Sequence, residues 1–587
     1  MISLDETQSL VAGADASRWC VVIAGPGSGK TTVSVSLISH LDKVVPDPEH
    51  RTVLYISFSR ATIKAAFAGA KQVAEESDLF VDLRTIDSLA LYLLNEFSFE
   101  HAQPVGDPIF ERRIVAATGL VQEQGEELLD DICHVIVDEA QDLSASRRDF
   151  LIELLKKVPA DCGLTLFADP AQAIYQFQDS TSRKSGVKDQ QSSFTDSWKE
   201  FLKEISSIRP TDRVTLDGQY RSRTPAMRSI SRRLSASRDA DGLITDSLLL
   251  DEIQSELPVL PLEGVPEVSK SWRGTTAILT STNAEALQIF AWLRGRSPVR
   301  IILPRQDRPR LPAWLAYWES HPNASGDTFS VQDLFSQSST IRGFSEDEAR
   351  QLGLTIEDYG EVRWSDIPKR SENFTSPPVD SLSEQDLVVS TIHQAKGLEY
   401  DNVLIYNPES LISPPTHQSA RLEMLFVALS RASSRLVSLE KSDDVRPTRI
   451  VKGRPIVPHH HRVSPAYVKV GPADIRNDIL IGAKAAQAQL RDHGDSKWVH
   501  FEIMDGSPDV PIYRILLDGT PVGMTTNDFG AEIKSLTRSS RGRWPSLGPV
   551  QIDGVESAVS YRWNRGRPFL IPRPLGFASI SYPTKKD

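Results

Sequence analysis

Short apolar runs recur along the chain, and each is followed by a polar turn and a longer amphipathic stretch. Continuous apolar strands of this kind are typical of parallel sheets that are buried on both faces. The pattern therefore predicts an α/β protein built on parallel sheets. The predicted strands are residues 20–23, 53–58, 135–137 and 164–167, followed by 214–216, 276–280, 299–303, 387–390, 403–406 and 435–439.

The first of these strands runs into a glycine-rich turn, Ala-Gly-Pro-Gly-Ser-Gly-Lys-Thr at residues 24–31. Its glycines allow successive backbone N–H groups to face a polyphosphate. Its lysine would reach the β- and γ-phosphates, its threonine would ligate Mg²⁺, and the following helix would place its positive end under the anion. Alanine stands where the pattern usually begins with glycine. The predicted ATP-binding residues are Ala24, Gly25, Pro26, Gly27, Ser28, Gly29, Lys30, Thr31 and Thr32.

A later strand, residues 135–137, ends in two carboxylates, Asp138 and Glu139. In a nucleotide hydrolase the first carboxylate holds the metal ion and the second polarises the attacking water as a general base. We therefore predict that Thr31 and Asp138 bind Mg²⁺ and that Glu139 is the catalytic base.

The string Asp-Glu-Ala-Gln-Asp at residues 138–142, together with the phosphate loop, resembles the UvrD/Rep/PcrA family of superfamily 1 DNA helicases. Further segments resemble that family's motifs in the family's order. The resemblance implies two RecA-like P-loop domains that close on ATP. The segments are residues 4–8 (Q motif), 55–61 (Ia), 85–89 (Ib), 168–177 (III), 216–222 (IV), 391–400 (V) and 425–432 (VI).

The resemblance also implies catalytic roles for residues outside the phosphate loop. Gln172 would sense the γ-phosphate, and Arg221 and Arg431 would act as arginine fingers, a contribution worth about 10³–10⁵ in rate. Both arginines lie in the part of the chain expected to form the second domain, so we expect them to reach the nucleotide only after domain closure. The adenosine side of the site would be formed by Gln8 and Tyr220 at the adenine, Glu399 at the ribose, and Gly397.

Contacts to single-stranded DNA are implied by the same motifs. Aromatic rings stack on unpaired bases at about 1–3 kcal/mol per base, although Phe58, at the end of a strand, could instead be a core residue. Asp87 stands where the family usually has histidine, and a carboxylate is unfavourable beside phosphates. The expected DNA contacts are Phe58, Arg60, Thr85, Ser88, Tyr175, Phe177 and His393.

The motifs divide the chain into modules. Residues 1–205 would be the first RecA-like domain with a small insertion at 89–130, and 206–440 the second with a reduced insertion at 304–384. A linker, 441–464, would precede a mixed α/β domain at 465–587, for which we predict a helix at 475–489. Both insertions are short for the family, which weakens the expectation of autonomous unwinding more than that of translocation.

Composition and charge add to this description. The 587 residues carry a net charge of −12, yet residues from Lys441 onward contain 22 Lys and Arg against 15 Asp and Glu. Basic residues near Trp544, Tyr561 and Trp563 suit nucleic-acid binding, or equally a solvated face over an aromatic core, or a surface for a protein partner. Three cysteines without metal-ligand spacing suit a reducing cytoplasm, and no apolar run approaches membrane-spanning length.

The sequence thus predicts an ATP- and Mg²⁺-dependent DNA translocase moving 3′ to 5′ on single-stranded DNA, or on DNA with a 3′ tail. One alternative is a DNA-responsive ATPase subunit that needs a protein partner, as in anti-phage defence of the Gabija type or in repair. A single-chain helicase-nuclease is a further alternative, based on Glu532-Ile533-Lys534 after Asp518. That triplet would need a strand, whereas its sequence context favours a helix.

Overall fold

The protein is described from a computed structural model. Two compact units are formed, one by Met1–Leu260 with Ala395–Leu439 and the other by Pro261–Gln394 with Glu440–Asp587. The structure describes residues 4–57, 78–97, 109–174, 194–304, 307–324, 326–355, 360–371, 374, 386–411, 418–459, 465–479, 484–493, 495–504, 509–539, 543–560 and 566–582.

The strands, numbered in chain order, are β1 (Trp19–Ala24), β2 (Thr52–Ser57), β3 (Phe80–Thr85), β4 (Ile132–Asp138), β5 (Gly163–Ala168), β6 (Asp212–Leu216), β7 (Val259–Leu260), β8 (Thr276–Thr280), β9 (Arg300–Ile301), β10 (Thr328–Ser330), β11 (Glu361–Arg363), β12 (Leu387–Thr391), β13 (Tyr400–Tyr406), β14 (Ala432–Leu439), β15 (Arg449–Val451), β16 (Arg454–Pro458), β17 (Pro465–Val470), β18 (Asp495–Ile503), β19 (Tyr513–Leu517), β20 (Thr520–Met524), β21 (Ser546–Leu547), β22 (Val550–Val559), β23 (Pro568–Pro574) and β24 (Gly576–Ser581).

The α-helices are α1 (Glu6–Ala12), α2 (Lys30–Val44), α3 (Ile86–Phe97), α4 (Ile109–Leu128), α5 (Ala145–Lys157), α6 (Phe194–Ile208), α7 (Pro225–Ala236), α8 (Ser247–Ser255), α9 (Val265–Ser271), α10 (Asn283–Leu293), α11 (Trp314–Glu319), α12 (Val331–Ser336), α13 (Glu346–Gln351), α14 (Ile367–Arg370), α15 (Ile392–Ala395), α16 (Gln418–Leu429), α17 (Lys484–His493) and α18 (Asn527–Thr537).

The first unit is built on a six-stranded sheet of order β3-β2-β4-β5-β1-β6. All of its strand pairs are parallel. Successive residues along its strands pack on opposite faces: Val21 belongs to one buried cluster and Val22 to the other. Burial of both faces explains why the strands read as continuous apolar runs. The predicted parallel α/β class is confirmed.

One strand belongs to a different sheet from the one predicted. Residues 214–216 were expected in the second RecA-like domain, but β6 pairs with β1, with Val22 opposite Val214. An apolar run indicates a strand without indicating its partner, and motif order alone assigned this one. As a consequence, the segment that follows β6 begins at the carboxyl edge of the first sheet, beside the end of β1.

Further parallel strands occur in both units. In the first unit β13 pairs with β14 and β14 with β7. In the second unit β12 lies between β8 and β9. Apart from β7, which was not predicted, these strands match the predicted runs to within a few residues. Each of the matching strands is apolar enough to be recognised without knowledge of its neighbours.

The second unit also contains antiparallel sheets, of order β15-β16-β17-β24-β21 and β20-β19-β18-β22-β23. The helix predicted at residues 475–489 is confirmed only in its last part: α17 begins at Lys484, whereas Ile475 forms a bridge with Thr525. Trp544 is 9% exposed, so this aromatic residue is part of the interior. Tyr561 and Trp563 lie outside the described residues.

The reduced insertion predicted at 304–384 contains a packed core in the part that is described. Trp314, Trp318, Phe329 and Trp364 belong to one buried cluster. The rings of Phe329 and Trp364 lie 4.3 Å apart between centroids. Aromatic side chains of this size bury a large apolar area for few residues, which explains how so short a segment can have a core of its own.

A buried histidine joins two strands of the first sheet. His134 on β4 has its Nδ1 3.0 Å from the backbone oxygen of Ala16 and its Nε2 2.9 Å from the Thr165 hydroxyl. A carbonyl only accepts, so Nδ1 carries the proton and Nε2 accepts from Thr165. Gly163 leaves the space for the ring, because a Cβ there would overlap it. Burial lowers the pKa of His134 to about 4.

This histidine makes the stability of the first unit depend on pH. The unfolded chain binds a proton at His134 below about pH 6.5, whereas the folded chain does so only near pH 4. The free energy of unfolding should therefore fall as the pH is lowered from 6.5 towards 4, by on the order of 3 kcal/mol. Hydrogen exchange of β4 and β5 amides, corrected for the intrinsic rate, measures this fall. His134→Val should abolish it and the exposed control His50→Gln should not; an equal pH dependence in His134→Val would contradict the assignment.

Candidate nucleotide-binding site

Strand order brings the predicted site segments together at one edge of the first sheet. β5 lies between β1 and β4, and β6 lies on the other side of β1. The carboxyl ends of parallel strands meet at the same edge. The phosphate loop after β1, the carboxylates at the end of β4, the segment after β5 and the segment after β6 are therefore neighbours.

The phosphate loop has the backbone that its glycines predict. Gly27 and Gly29 have φ of 75° and 85°, a region that favours glycine. A Cβ on Gly29 would lie 2.5 Å from Nε2 of Gln8, whose side chain donates to the backbone oxygen of Ser28 at 3.0 Å. Gln8 of the Q motif is thus in contact with the loop. The remaining loop residues continue from β1 at Ala24 into α2, where Thr31 and Thr32 lie in the first turn.

Lys30 and Glu139 form an ion pair, with Nζ 3.3 Å from Oε1. Burial alone would lower the pKa of Lys30, but attraction to Glu139, Asp169 and Asp138 outweighs burial and raises it. Burial would raise the pKa of Glu139; Lys30 and Lys396 reverse that effect and hold it below its usual range. Both groups are therefore charged at neutral pH, and each compensates the other.

The neighbouring carboxylate, Asp138, accepts hydrogen bonds from the Tyr55 hydroxyl at 3.1 Å and from the Glu139 N–H at 2.9 Å. Burial, together with the charge of Glu139, raises its pKa. Glu139 itself has φ of 55°. A left-handed backbone costs a residue with a side chain about 1–2 kcal/mol, and such strain concentrates at functional sites.

Two amides fix the orientation of the catalytic groups. Gln141 donates through Nε2 to Glu139 and accepts through Oε1 from the Asp169 N–H at 2.9 Å. Gln172 donates through Nε2 to Asp169 at 2.5 Å and accepts from Nη2 of Arg431 at 2.7 Å. The predicted sensor and one predicted arginine finger are thus in direct contact.

Arg221, the other predicted finger, lies against the phosphate loop. A Cβ on Gly27 would be 2.7 Å from the Cβ of Arg221. Its guanidinium donates to the backbone oxygen of Ser430 at 2.9 Å and pairs with Glu399. The expectation that Arg221 reaches the site only by domain closure is wrong, because Arg221 lies in the segment that follows β6, beside the loop.

Tyr220, one of the predicted adenosine contacts, also lies against the phosphate loop. Tyr220 is 56% exposed, its N–H donates to the backbone oxygen of Gly27 at 2.9 Å, and its hydroxyl donates to Asp5. Its ring approaches the position of a Cβ on Gly29 to 3.7 Å. Gly397 has φ of 78°, in the turn between α15 and β13.

Comparison with protein-family models finds matches in two regions of the chain that contribute residues to this site. The model of the AAA domain matches residues 7–178, and that of the UvrD-like helicase C-terminal domain matches residues 386–438. These two matches support the resemblance to UvrD-like helicases of superfamily 1 that the motifs predict. A comparison with curated protein sequences gives no match.

Solved structures that resemble this protein include Pif1 helicases. Bacteroides Pif1 bound to ssDNA is 15% identical, with 75% of this chain and 92% of that chain covered and a TM-score of 0.36. Pif1 from Candida albicans is 14% identical, with 76% and 96% covered and a TM-score of 0.37. Both likenesses are distant.

The predicted DNA contacts are only partly described. Thr85 and Ser88 bond to each other at the start of α3, with the Thr85 hydroxyl accepting from the Ser88 N–H at 3.1 Å. His393 lies in α15. The other predicted DNA contacts, Phe58, Arg60, Tyr175 and Phe177, lie outside the described residues.

The unusual carboxylate of motif Ib has a partner. Asp87 pairs with Arg147 at 2.7 Å, and Arg147 also binds Glu111 at 2.8 Å. This pair could not be predicted from the sequence, because 60 residues separate its members.

Four further residues of the site, for which the sequence predicted no role, are Lys396, Gln141, Asp169 and Arg238. Lys396 pairs with Asp142 at 2.5 Å and donates to the backbone oxygen of Gln172. The first three lie inside the matched motifs, which was a usable signal. Arg238 lies outside every motif, and nothing in the sequence marks it.

Within the described residues, no helix is long and apolar enough to cross a membrane.

Gly27→Ala should weaken ATP binding by at least about tenfold, since the new methyl group meets Arg221 and the left-handed backbone becomes strained. Equilibrium titration with a fluorescent ATP analogue measures the loss. Gly119→Ala is the matched control, because a Cβ there meets nothing within 4 Å on α4. It should leave ATP affinity within twofold and stabilise the helix by about 0.5–1 kcal/mol. Wild-type affinity in Gly27→Ala would show that the loop does not bind phosphate.

Proposed function

We propose that this protein is a UvrD-like superfamily 1 helicase, an ATP-dependent DNA translocase that moves 3′ to 5′ on single-stranded DNA by closure of its RecA-like domains on ATP. The observation that carries the proposal is the convergence of one catalytic set within the first unit: Lys30 on Glu139, Gln172 on Arg431, and Arg221 on the phosphate loop. The polarity rests on the resemblance to UvrD.

In this proposal the phosphates of ATP take Lys30 away from Glu139. The freed carboxylate, still oriented by Gln141, then polarises the attacking water as general base. Arg221 and Arg431 supply positive charge where negative charge develops on the γ-phosphate, which is the main demand of phosphoryl transfer.

Mg²⁺ would be held by Thr31 and Asp138. A hydroxyl and a carboxylate are the oxygen ligands that this ion prefers, and the carboxylate lies at the buried end of β4, beside Lys30 and Glu139. When bound, the ion neutralises phosphate charge. The protein groups orient that carboxylate through the Tyr55 hydroxyl and the Glu139 N–H.

The partner in this proposal is single-stranded DNA or DNA with a 3′ tail. Thr85, Ser88 and His393 would contact the strand, together with Phe58, Arg60, Tyr175 and Phe177. We also propose that residues 465–587 form a basic domain that docks a protein partner. The three cysteines are unpaired and buried, which suits the cytoplasmic location that we propose.

Glu139→Gln should lower kcat for ATP hydrolysis by at least about 100-fold, because an amide cannot accept the proton of the attacking water. Steady-state hydrolysis with and without single-stranded DNA measures both the loss and the stimulation expected of the wild type. Glu126→Gln is the control, since Glu126 is 84% exposed on α4. Wild-type hydrolysis that DNA does not change would contradict translocation and favour an ATPase subunit that needs a partner.

A protein that moves 3′ to 5′ should displace streptavidin from a biotin at the 5′ end of an oligonucleotide, and should leave a 3′-end biotin occupied. Displacement kinetics on both oligonucleotides measure this preference, with Glu139→Gln as the control for dependence on hydrolysis. Displacement from the 3′ end alone would reverse the proposed polarity while leaving the ATPase assignment unchanged.

A further inference from the structure

Asp169, directly after β5, is fully buried and receives a different donor at each carboxylate oxygen. Nη1 of Arg238 lies 3.1 Å from Oδ1, and Nε2 of Gln172 lies 2.5 Å from Oδ2. A buried carboxylate is strongly unfavourable unless a cation compensates it. Arg238 supplies that charge, and its own side chain is only 9% exposed.

Arg238 also touches the phosphate loop. A Cβ on Gly25 would lie 2.6 Å from Nη2 of Arg238, so the guanidinium fills the space that this glycine leaves. The guanidinium carbon lies 5.5 Å from the ring centroid of Phe426 on α16. Among the described residues the buried Nε of Arg238 has no hydrogen-bond partner. The side chain is thus held between the loop, a carboxylate and an aromatic face.

The pair determines which way the Gln172 amide points. A carboxylate only accepts and a guanidinium only donates. The Gln172 amide must therefore turn its NH₂ towards Asp169 and its oxygen towards Arg431, as observed. Loss of Arg238 would leave Asp169 uncompensated and would release this orientation.

We propose that Arg238 is a positioning residue for ATP hydrolysis. It compensates Asp169, and through Asp169 and Gln172 it aligns Arg431, while its contact with Gly25 joins this relay to the phosphate loop. The proposal rests on the proposed ATPase function and adds a third arginine to the two assigned from the motifs.

The test compares Arg238→Ala, Arg238→Lys, Asp169→Asn and the Arg238→Ala/Asp169→Asn double variant. Outer partners of catalytic groups typically contribute about 10- to 100-fold, so Arg238→Ala should lower kcat by that factor while changing KM for ATP less than about threefold. Arg238→Lys should recover much of the loss, because an ammonium group also compensates Asp169. The double variant should be no slower than Arg238→Ala, since the two residues act as one unit.

Arg232→Ala is the matched control, an exposed arginine on α7 that should stay within twofold of wild type. If Arg238→Ala does not fold, Arg238→Lys and Asp169→Asn carry the test. Additive losses, a rise in KM at constant kcat, or wild-type kcat in Arg238→Ala would each overturn the inference. Absence of hydrolysis by the wild type overturns this inference and the proposed function together, whereas wild-type turnover with an unaffected Arg238→Ala overturns the inference alone.

Discussion

Charge compensation between buried groups is the constraint on which the site depends. Glu139 is compensated by Lys30, Asp142 by Lys396, and Asp169 by Arg238. Isolated ions in such surroundings would cost several kcal/mol each, so these pairs are needed for the site to exist without nucleotide. The same pairs make the site responsive, because bound phosphates would compete with the carboxylates for the cations.

Strand order explains why these pairs form. With β5 between β1 and β4, Asp169 lies between the phosphate loop and the predicted catalytic carboxylates, where Gln141, Gln172 and Arg238 all contact it. Because β6 lies beside β1, the segment that follows β6 places Arg221 next to the phosphate loop. Residues far apart in the chain therefore meet through short side-chain contacts, and all of the predicted catalytic residues lie in the first unit.

The strands and the motif residues could be predicted from the sequence because each depends on local information: an apolar run, a glycine at a left-handed turn, a lysine after it. Partners could not be predicted in this way. The run at 214–216 looks the same whichever sheet it joins, and the start of the helix expected at 475–489 could not be placed without knowing that Ile475 pairs with Thr525. The contact of Arg238 with the phosphate loop can be recognised only from the structure, which shows its guanidinium in the space beside Gly25.

Asp87 shows how partners change the interpretation of a residue. In the sequence alone, a carboxylate in motif Ib argues against a contact between this motif and DNA phosphates. In the structure Arg147 forms ion pairs with both Asp87 and Glu111. The negative charge of Asp87 is therefore compensated by a neighbouring cation. The motif's hydroxyls, Thr85 and Ser88, cap the start of α3 next to this pair. The departure from the family pattern is thus compensated locally, and it weighs less against a DNA contact than the sequence alone suggests.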